Sequence, residues 1–334
     1  MIISGSVALD RAAHAAASSD LAARLAGLDE RRRAAEVAIP FAIFTAIWGS
    51  TWIVIRDQLG TVPPQWSVAY RFIIAATAMA AVAWWRGDEL RLGRGGMIAA
   101  AVIGLSQFSI NFNAVYLAEQ HITSGVVATF FALLLIPSTL LAWAFLGHRP
   151  TGRFLWSSLI AIIGIAMLFA HEFNINSTRV GELLVGLAFT LVGMVAAAAA
   201  NVFQARPKVR RFPLFSLLAW SMAIGAAINV AVALVMAGPP VIEARPGYWL
   251  GLVYLALPAS VLTFSLYYPV VRKIGPAKAA YSSVLVPIIA MALSTLFEGY
   301  RWSPLAAAGA LLALGGMIAA LSRPRSVVAA PDAG

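Results

Sequence analysis

The sequence contains no cysteine among its 334 residues. This absence excludes disulfide bonds, zinc sites with cysteine ligands, iron–sulfur clusters and catalysis by a thiol. No GxxxxGK[ST] loop and no HExxH segment occurs either, so the sequence gives no support for ATP-driven chemistry or for a zinc protease. We therefore expect no cofactor, no metal and no enzymatic activity.

Charged residues are also scarce. Asp, Glu, Lys and Arg make up 11% of the chain, hydrophobic residues make up 61%, and the mean hydropathy is +0.83. Soluble domains contain about 25% charged residues. The net charge of +10 could suggest a nucleic-acid partner, but the cations are confined to short loops between apolar runs. This distribution instead favours contact with the anionic inner leaflet of a membrane.

What the chain has in abundance is apolar sequence. Ten runs are long enough to form membrane-crossing helices, each of which needs about 20 apolar residues. The predicted spans are 37–55, 66–85, 97–118, 122–146, 154–170, 181–203, 213–236, 248–271, 277–297 and 303–321. The sequence therefore predicts an all-α integral membrane protein with ten transmembrane helices.

Lys and Arg alternate between successive loops. Cation-rich segments such as 31–33 and 206–211 are separated by loops that hold at most one cation, such as Arg56 or Arg245. Cytoplasmic loops of membrane proteins carry an excess of Lys and Arg. We therefore expect a bacterial-type inner (plasma) membrane protein with both termini in the cytoplasm, where 1–36 and 322–334 would form the two tails.

A proline motif occurs twice and divides the chain into halves. Span four contains Pro137 and span nine contains Pro287, and a polar residue follows near the helix end in each case, His148 or Glu298. The predicted repeats are 37–170 and 181–321, with five helices each. An odd number of helices inverts the second repeat relative to the first, the arrangement that supports alternating access in many transporters.

Several short motifs, taken in order, resemble the EamA branch of the drug/metabolite transporter superfamily. They are Trp48-Gly49-Ser50, Arg71, Thr123-Ser124-Gly125 with Pro137, Gly181, Gly275-Pro276-Ala277 with Pro287, and Glu298. The chain departs from the family at His148, where a glutamate is usual. The resemblance, which extends to the aromatic amino acid exporter group, implies export of small metabolites. It also implies that helices 1–4 and 6–9 surround a central cavity, with helices 5 and 10 outside.

Polar residues inside the spans indicate a candidate binding site. Gln107 and Asn111 share one helical face of span three, and Thr263 and Tyr267 share one face of span eight. Polar side chains in a bilayer are costly unless they face protein, water or a ligand. Either a wet central cavity or contacts between helices would account for both stripes, and we favour the cavity.

Five further residues are candidates for function. Trp48 and Tyr281 could offer ring faces that contact a substrate side chain or attract an ammonium group. Arg71 lies well inside span two, where it would anchor a substrate carboxylate, pair with an acid, or extend to the membrane interface. Pro137 and Pro287 each remove a backbone hydrogen bond, which predicts a hinge or a static kink.

These features together predict a transporter that exports amino acids, aromatic or broadly neutral, by alternating access. Its partners would be a small-molecule substrate and the lipid bilayer, without nucleic acid, and the protein would be a monomer or a weak homodimer. No Asp or Glu lies at mid-membrane, which favours facilitative transport over proton coupling. The alternative is a proton-coupled exporter of nucleosides or drug-like compounds, and a channel or a membrane enzyme is less well supported.

Overall fold

The computed structural model of the chain describes residues 35–147, 149–175, 180–274 and 282–321. The predicted tails therefore lie almost entirely outside the described residues, and His148 and Tyr281 lie outside them as well. Within the described residues the chain is helical and contains no strand, which confirms the all-α prediction.

Ten long helices in the described ranges follow the predicted spans in order. They are α1 (Ala35–Asp57), α2 (Pro64–Trp85), α3 (Gly93–Glu119), α4 (Ser124–Leu146), α5 (Gly152–Ile175), α6 (Val180–Ala205), α7 (Leu214–Ala237), α8 (Pro246–Val270, continuing as helix to Ile274), α9 (Ser282–Phe297) and α10 (Pro304–Leu321). In the described part of the chain, seven helices are long and apolar enough to cross a membrane. These are α1 to α4 and α6 to α8, and the apolar stretches of α5, α9 and α10 are shorter.

Proline and glycine set several helix ends. Pro64, Pro246 and Pro304 are the first residues of α2, α8 and α10, a position where the missing N–H has no helical partner to lose. Gly147 ends α4 with φ of 74°, in the left-handed region that glycine adopts without strain.

The middle of α3 is a π-helix at Gly104–Ile110. The carbonyl oxygen of Phe108, within this segment, accepts a hydrogen bond from the side-chain amide of Asn229 in α7, at 2.9 Å. The side-chain oxygen of Asn229 in turn accepts a hydrogen bond from Asn113, also at 2.9 Å. The two asparagines therefore fasten the irregular part of α3 to α7.

The middle of α8 is a π-helix too, at Leu257–Leu262. The carbonyl oxygen of Ala259 accepts hydrogen bonds from Thr263, at 2.6 Å, and from the indole of Trp48 in α1, at 3.3 Å. The two irregular segments occupy corresponding positions, since α3 and α8 are the third helices of the two predicted repeats. Such π segments are frequent at functional sites.

The helices pack in matching pairs. Helix α2 packs on α7, α4 packs on α9, and α5 packs on α10, so each pair joins corresponding members of the two predicted repeats. Helix α3 also packs on α6, and α1 contacts α8, where the hydroxyls of Ser50 and Tyr254 are 2.6 Å apart. A pseudo-twofold axis would relate these last two contacts to each other.

Small residues bring the backbones of α5 and α10 together. A Cβ atom at Gly164 would lie 2.3 Å from the backbone nitrogen of Ala313, and one at Gly316 would lie 2.6 Å from that of Ala161. Without a hydrophobic effect between apolar helices in lipid, close backbone packing of this kind drives their association.

The connecting loops gather at two ends of the helix bundle. At one end, which we call the cation-rich end, the indole of Trp220 donates a hydrogen bond to the carbonyl of Leu90 at 2.8 Å, and Arg86 lies 4.3 Å from the ring centre of Phe215. At the other, the cation-poor end, Arg245 pairs with Asp57 at 2.8 Å. The cation-rich loop after α2 thus packs on α7, and the cation-poor loop before α8 packs on the end of α1.

We expect Gly316→Ala to lower the thermal stability of the purified protein, because the added methyl group would overlap the backbone of α5. Overpacking of this kind costs about 1–3 kcal/mol. Gly315→Ala is the matched control, since nothing lies within 4 Å of a Cβ atom at that position. Equal melting temperatures for the two variants would contradict the backbone contact between α5 and α10.

We also expect Asn229→Ala to destabilise the fold by about 1–3 kcal/mol, because the Phe108 carbonyl and the Asn113 amide would lose a buried partner. Ser221→Ala on the same helix is the control, since that hydroxyl bonds to the carbonyl of Leu217 in its own helix. Denaturant titration followed by helical circular dichroism would compare them. A larger loss for Ser221→Ala would contradict the fastening role of Asn229.

Candidate functional site

A cavity of about 620 Å³ lies between α1, α3, α4, α6, α7, α8 and α9. Among the described residues, none of α2, α5 or α10 contributes to its wall. The volume is in the range typical of pockets for small molecules. The cavity is thus central, and the pair formed by α5 and α10 stands outside it.

Aromatic rings form much of one wall. The ring centre of Trp48 lies 5.1 Å from that of Tyr267 and 5.7 Å from that of Phe264. Because the indole N–H of Trp48 already donates to the carbonyl of Ala259, the ring offers the cavity its apolar surface. This wall can contact an aromatic or aliphatic group, and the ring faces can attract a cation.

Amide side chains supply polar groups to the same cavity. Gln107 and Asn111 of α3 lie in the wall, with Asn201 and Gln204 near the end of α6. The amide nitrogen of Asn111 donates a long hydrogen bond of 3.4 Å to the backbone carbonyl of Gln107. Among the described residues, none donates a hydrogen bond to the side-chain oxygen of Asn111. That oxygen is therefore a buried acceptor without a partner among the described residues, directly behind the surface of the cavity.

The wall carries little charge. No described wall residue is acidic, and Arg210 is the one basic residue among them. Arg210 is exposed and lies between α6 and α7, where the cavity reaches the cation-rich end beside Val209 and Phe212. Burying a net charge in such a neutral interior is costly. The interior therefore suits a ligand whose charges sum to zero.

A cluster of polar residues, the Arg56 cluster, lies at the cation-poor end. We define it as Arg56, Glu119, Ser124, Ser294 and Glu298. Arg56 of α1 donates a hydrogen bond to the backbone carbonyl of Glu119 at the end of α3, and its Nε lies 3.8 Å from the carboxylate of Glu298 after α9. That carboxylate also accepts hydrogen bonds from Ser124, whose Oγ is 2.6 Å away, and from Ser294.

The Arg56 cluster closes the cavity. It ties α1, α3, α4 and α9 together, and the cavity ends beneath it at Ile55 and Val115. The backbone N–H of Ser124 at the first turn of α4 also donates to Glu298, at 3.3 Å, so that carboxylate sits at a helix N-terminus that favours negative charge. The cavity is thus a dead-ended pocket that reaches the cation-rich end.

The structure brings five of the predicted residues to this cavity. Trp48, Gln107, Asn111, Tyr267 and Pro287 all contribute to its wall. They come from α1, α3, α8 and α9, so the two predicted polar stripes do face one space through these members. Their roles in substrate binding, and that of Pro287 as a hinge, stay predictions.

Three predicted residues lie elsewhere, and Tyr281 is outside the described residues. Thr263 is fully buried and donates to the carbonyl of Ala259 within its own helix. Pro137 borders a separate apolar cavity of about 420 Å³ between α4, α5 and α6. Arg71 is 1% exposed, so it does not extend to the membrane interface.

Arg71 does not line the cavity but lies directly behind residues that do. Its guanidinium donates two hydrogen bonds, of 3.3 Å and 3.1 Å, to the hydroxyl of Ser260 in α8. It also lies 4.3 Å from the ring centre of Phe112, whose ring contributes to the wall. In this conformation Arg71 supports Phe112 and the π segment of α8 and does not line the cavity.

Sequence reasoning missed part of the site. Phe112 and Phe264 form wall surface, yet an apolar ring in an apolar span gives no sign of its direction. Phe264 does lie three residues before Tyr267, a spacing that places both on one helical face. Arg210 was read as a cytoplasmic loop charge, and its place at the mouth depends on how α6 and α7 pack.

The chain matches the EamA-like transporter family model twice, over residues 37–170 and 184–322. It is 28% identical over 263 residues to the uncharacterised inner membrane transporter YedA of Escherichia coli, covering 78% of this chain and 81% of that one. It is 26% identical over 287 residues to a probable amino-acid metabolite efflux pump of the same species, covering 82% and 91%. Protein PagO of Salmonella typhimurium is 23% identical over 271 residues, covering 81% and 88%.

A solved crystal structure shares the fold. It matches with a TM-score of 0.61 at 21% sequence identity, covering 86% of this chain and 96% of that one. One family model thus matches both halves of the chain. The chain belongs to the EamA-like transporter family and is a membrane transporter rather than an enzyme.

Proposed function

We propose that the protein exports amino acids, aromatic or broadly neutral, from the cytoplasm by alternating access through the central cavity. The observation that carries this proposal is the dead-ended cavity, which combines aromatic rings with amide groups and has no acidic residue among its described wall residues. A relative that is named a probable amino-acid metabolite efflux pump supports the same substrate class.

The proposal includes a topology. Ten helices cross the inner membrane as two inverted repeats, 37–170 and 181–321, with the cation-rich end and both termini in the cytoplasm. The matching π segments of α3 and α8 and the paired packing of corresponding helices support the repeat. The excess of Lys and Arg at one end supports the orientation. YedA, which is named an inner membrane transporter, supports the location.

We infer the substrate class from the amide, aromatic and charged residues of the cavity wall. A zwitterionic amino acid carries one ammonium and one carboxylate group and has no net charge. Gln107 and Asn111 can hydrogen-bond those groups, and the rings of Trp48 and Tyr267 can pack on an apolar side chain. An anion such as a nucleotide would need several cations, and the described wall residues include Arg210 alone.

Export requires the cavity to close at its cytoplasmic end and to open at its outer end. In the conformation described here the cavity reaches the proposed cytoplasmic end, and the Arg56 cluster closes the proposed outer end. Release to the outside would separate Arg56 from Glu298 while α6 and α7 close the mouth near Arg210. Pro287 and the π segments of α3 and α8 lie beside the cavity, where a change of helix direction would move its wall.

Transport is facilitative in this proposal. A coupling proton must bind in competition with the substrate or move with it, which requires a titratable group at the substrate site. The described wall residues include no Asp, Glu or His. The substrate gradient alone would therefore drive net export.

Counterflow in liposomes tests the proposal. Liposomes that contain the purified protein and unlabelled amino acid, without a pH gradient, should transiently accumulate labelled amino acid with saturable kinetics. Unlabelled nucleosides form the comparison panel. Accumulation that appears only after a pH step, or only with nucleosides, would contradict the facilitative amino acid carrier.

We expect Trp48→Ala to weaken saturable transport at least about tenfold, since an aromatic contact contributes about 1.5 kcal/mol beyond lost buried area. Trp156→Ala is the matched control, because that indole is 71% exposed on the outer face of α5. Counterflow at several amino acid concentrations would give both half-saturation values. Equal effects of the two substitutions would contradict a place for Trp48 in the binding site.

We expect Gln107→Ala to depress saturable transport while the yield of folded protein stays near that of the wild type. Its control is Ser106→Ala in the same π segment, whose hydroxyl bonds to the carbonyl of Val102 away from the cavity. Size-exclusion chromatography would report the yield. A folding loss for Gln107→Ala with normal transport by the surviving protein would show that Gln107 only joins helices.

A further inference from the structure

Glu119, the last residue of α3, is completely buried. Among the described residues, none donates a hydrogen bond to either oxygen of its carboxyl group. Removing an ionised carboxylate from water without such donors costs a large amount of free energy. A carboxyl group in this position usually binds a proton and becomes neutral.

The nearest arginine at this end is engaged elsewhere. Arg56 bonds to the backbone carbonyl of Glu119 and pairs its guanidinium with Glu298, and 43% of its side chain is exposed. Glu298 also receives the hydrogen bonds of Ser124 and Ser294, so its charge is well compensated. The negative charge of Glu298 acts directly against a second charge on Glu119.

The groups on the other side of Glu119 are Arg71 and Tyr116. The charge of Arg71 favours an ionised Glu119. The Nε and Nη2 of Arg71 donate to Ser260 and its guanidinium packs on Phe112, while its Nη1 has no acceptor among the described residues. Arg71 and Arg56 thus attract Glu119 without bonding to its oxygens, Glu298 repels it, and Tyr116 carries no charge at neutral pH.

We propose that Glu119 is a proton-binding site of the outer gate, which holds a proton while the Arg56 cluster is closed and releases it when that cluster opens. The inference rests on the alternating access proposed above. Opening would part α1, α3 and α9 and admit water to Glu119, where hydration stabilises the carboxylate. The released proton passes to water on the outer side, and Glu119 takes a proton back from that side when the cluster closes again, so that no net proton crosses the membrane.

The site acts on the gate and not on the substrate. Glu119 is absent from the cavity wall, so its proton neither competes with the substrate nor travels with it. Because the closed state holds one proton more than the open state, a rise in pH destabilises the closed state relative to the open one. Between the pH at which Glu119 titrates in the open state and the higher pH at which it titrates in the closed state, each unit rise in pH shifts that balance up to about tenfold toward opening.

Infrared spectroscopy of the protein in lipid bilayers detects the proton without any substrate. The wild type at neutral pH should show the carbonyl absorption of a protonated carboxyl group, which Glu119→Gln should remove. Glu243→Gln is the matched control on the same end. The backbone N–H of Arg245 donates to Glu243 and lowers the pKa of that carboxyl, so Glu243 should contribute no such absorption. An unchanged absorption in Glu119→Gln would overturn the proposal.

Counterflow at equal pH on both sides detects the effect on the gate. From about pH 6 to about pH 9, the counterflow rates of the wild type and of Glu243→Gln should both rise several-fold. The rate of Glu119→Gln should stay low and should not change with pH. A wild-type rate that does not change with pH, or an unchanged pH profile in Glu119→Gln, would overturn the proposal.

The two experiments separate this inference from the proposed function. If no amino acid is transported at any pH, the proposed function fails, and the infrared measurement still decides whether Glu119 holds a proton. If transport occurs but the absorption of a protonated carboxyl group is absent from the wild type, the proposed function stands and the proton site is rejected. Should Glu119→Gln fail to fold, the wild-type pH profile alone decides, since a flat profile rejects the site.

Discussion

The architecture depends on the closure of one end of the bundle by the Arg56 cluster. A single arginine of α1 bonds to the end of α3 and to the carboxylate after α9, and that carboxylate holds the first turn of α4. This connection holds α1, α3, α4 and α9 together beyond one end of the cavity. With it, the cavity is a pocket that a ligand enters from one end, which is the minimum a carrier needs in each of its two states.

Inside the bundle, the arrangement reflects the need to pair backbone polar groups where water is scarce. In the π segments of α3 and α8, two carbonyl groups accept hydrogen bonds from side chains of other helices, the Phe108 carbonyl from Asn229 and the Ala259 carbonyl from Trp48. These bonds have a second effect, because they fix the walls of the cavity. Trp48 both fastens α8 and lines the cavity, so the shape of the cavity and the geometry of the helix depend on one residue.

Much of the fold could be predicted from the sequence, because the bilayer constrains each apolar run and each charged loop separately. Each segment could therefore be interpreted without knowledge of how the helices pack. The candidate site was predicted less completely, since spacing tells which residues share a helical face but not what that face meets. Gln107 and Tyr267 reach the cavity, whereas Thr263 on the same stripe bonds to its own helix. The π segments also change which residues share a helical face, and no pattern in the sequence predicted these segments. Glu119 directly follows the predicted span 97–118, and only tertiary packing, which buries it completely, distinguishes it from an ordinary loop acid.

The measurement that tests this account most directly is the accessibility of the cavity from each side of the membrane. The chain has no native cysteine, so Ser138→Cys places one thiol in the cavity wall. Inverted vesicles expose the cytoplasmic face to a membrane-impermeant thiol reagent, and right-side-out vesicles expose the other. The account predicts fast labelling in inverted vesicles, slow labelling in right-side-out vesicles, and protection by a transported amino acid. Labelling that is faster from the outer side would contradict the closed outer end and the orientation together.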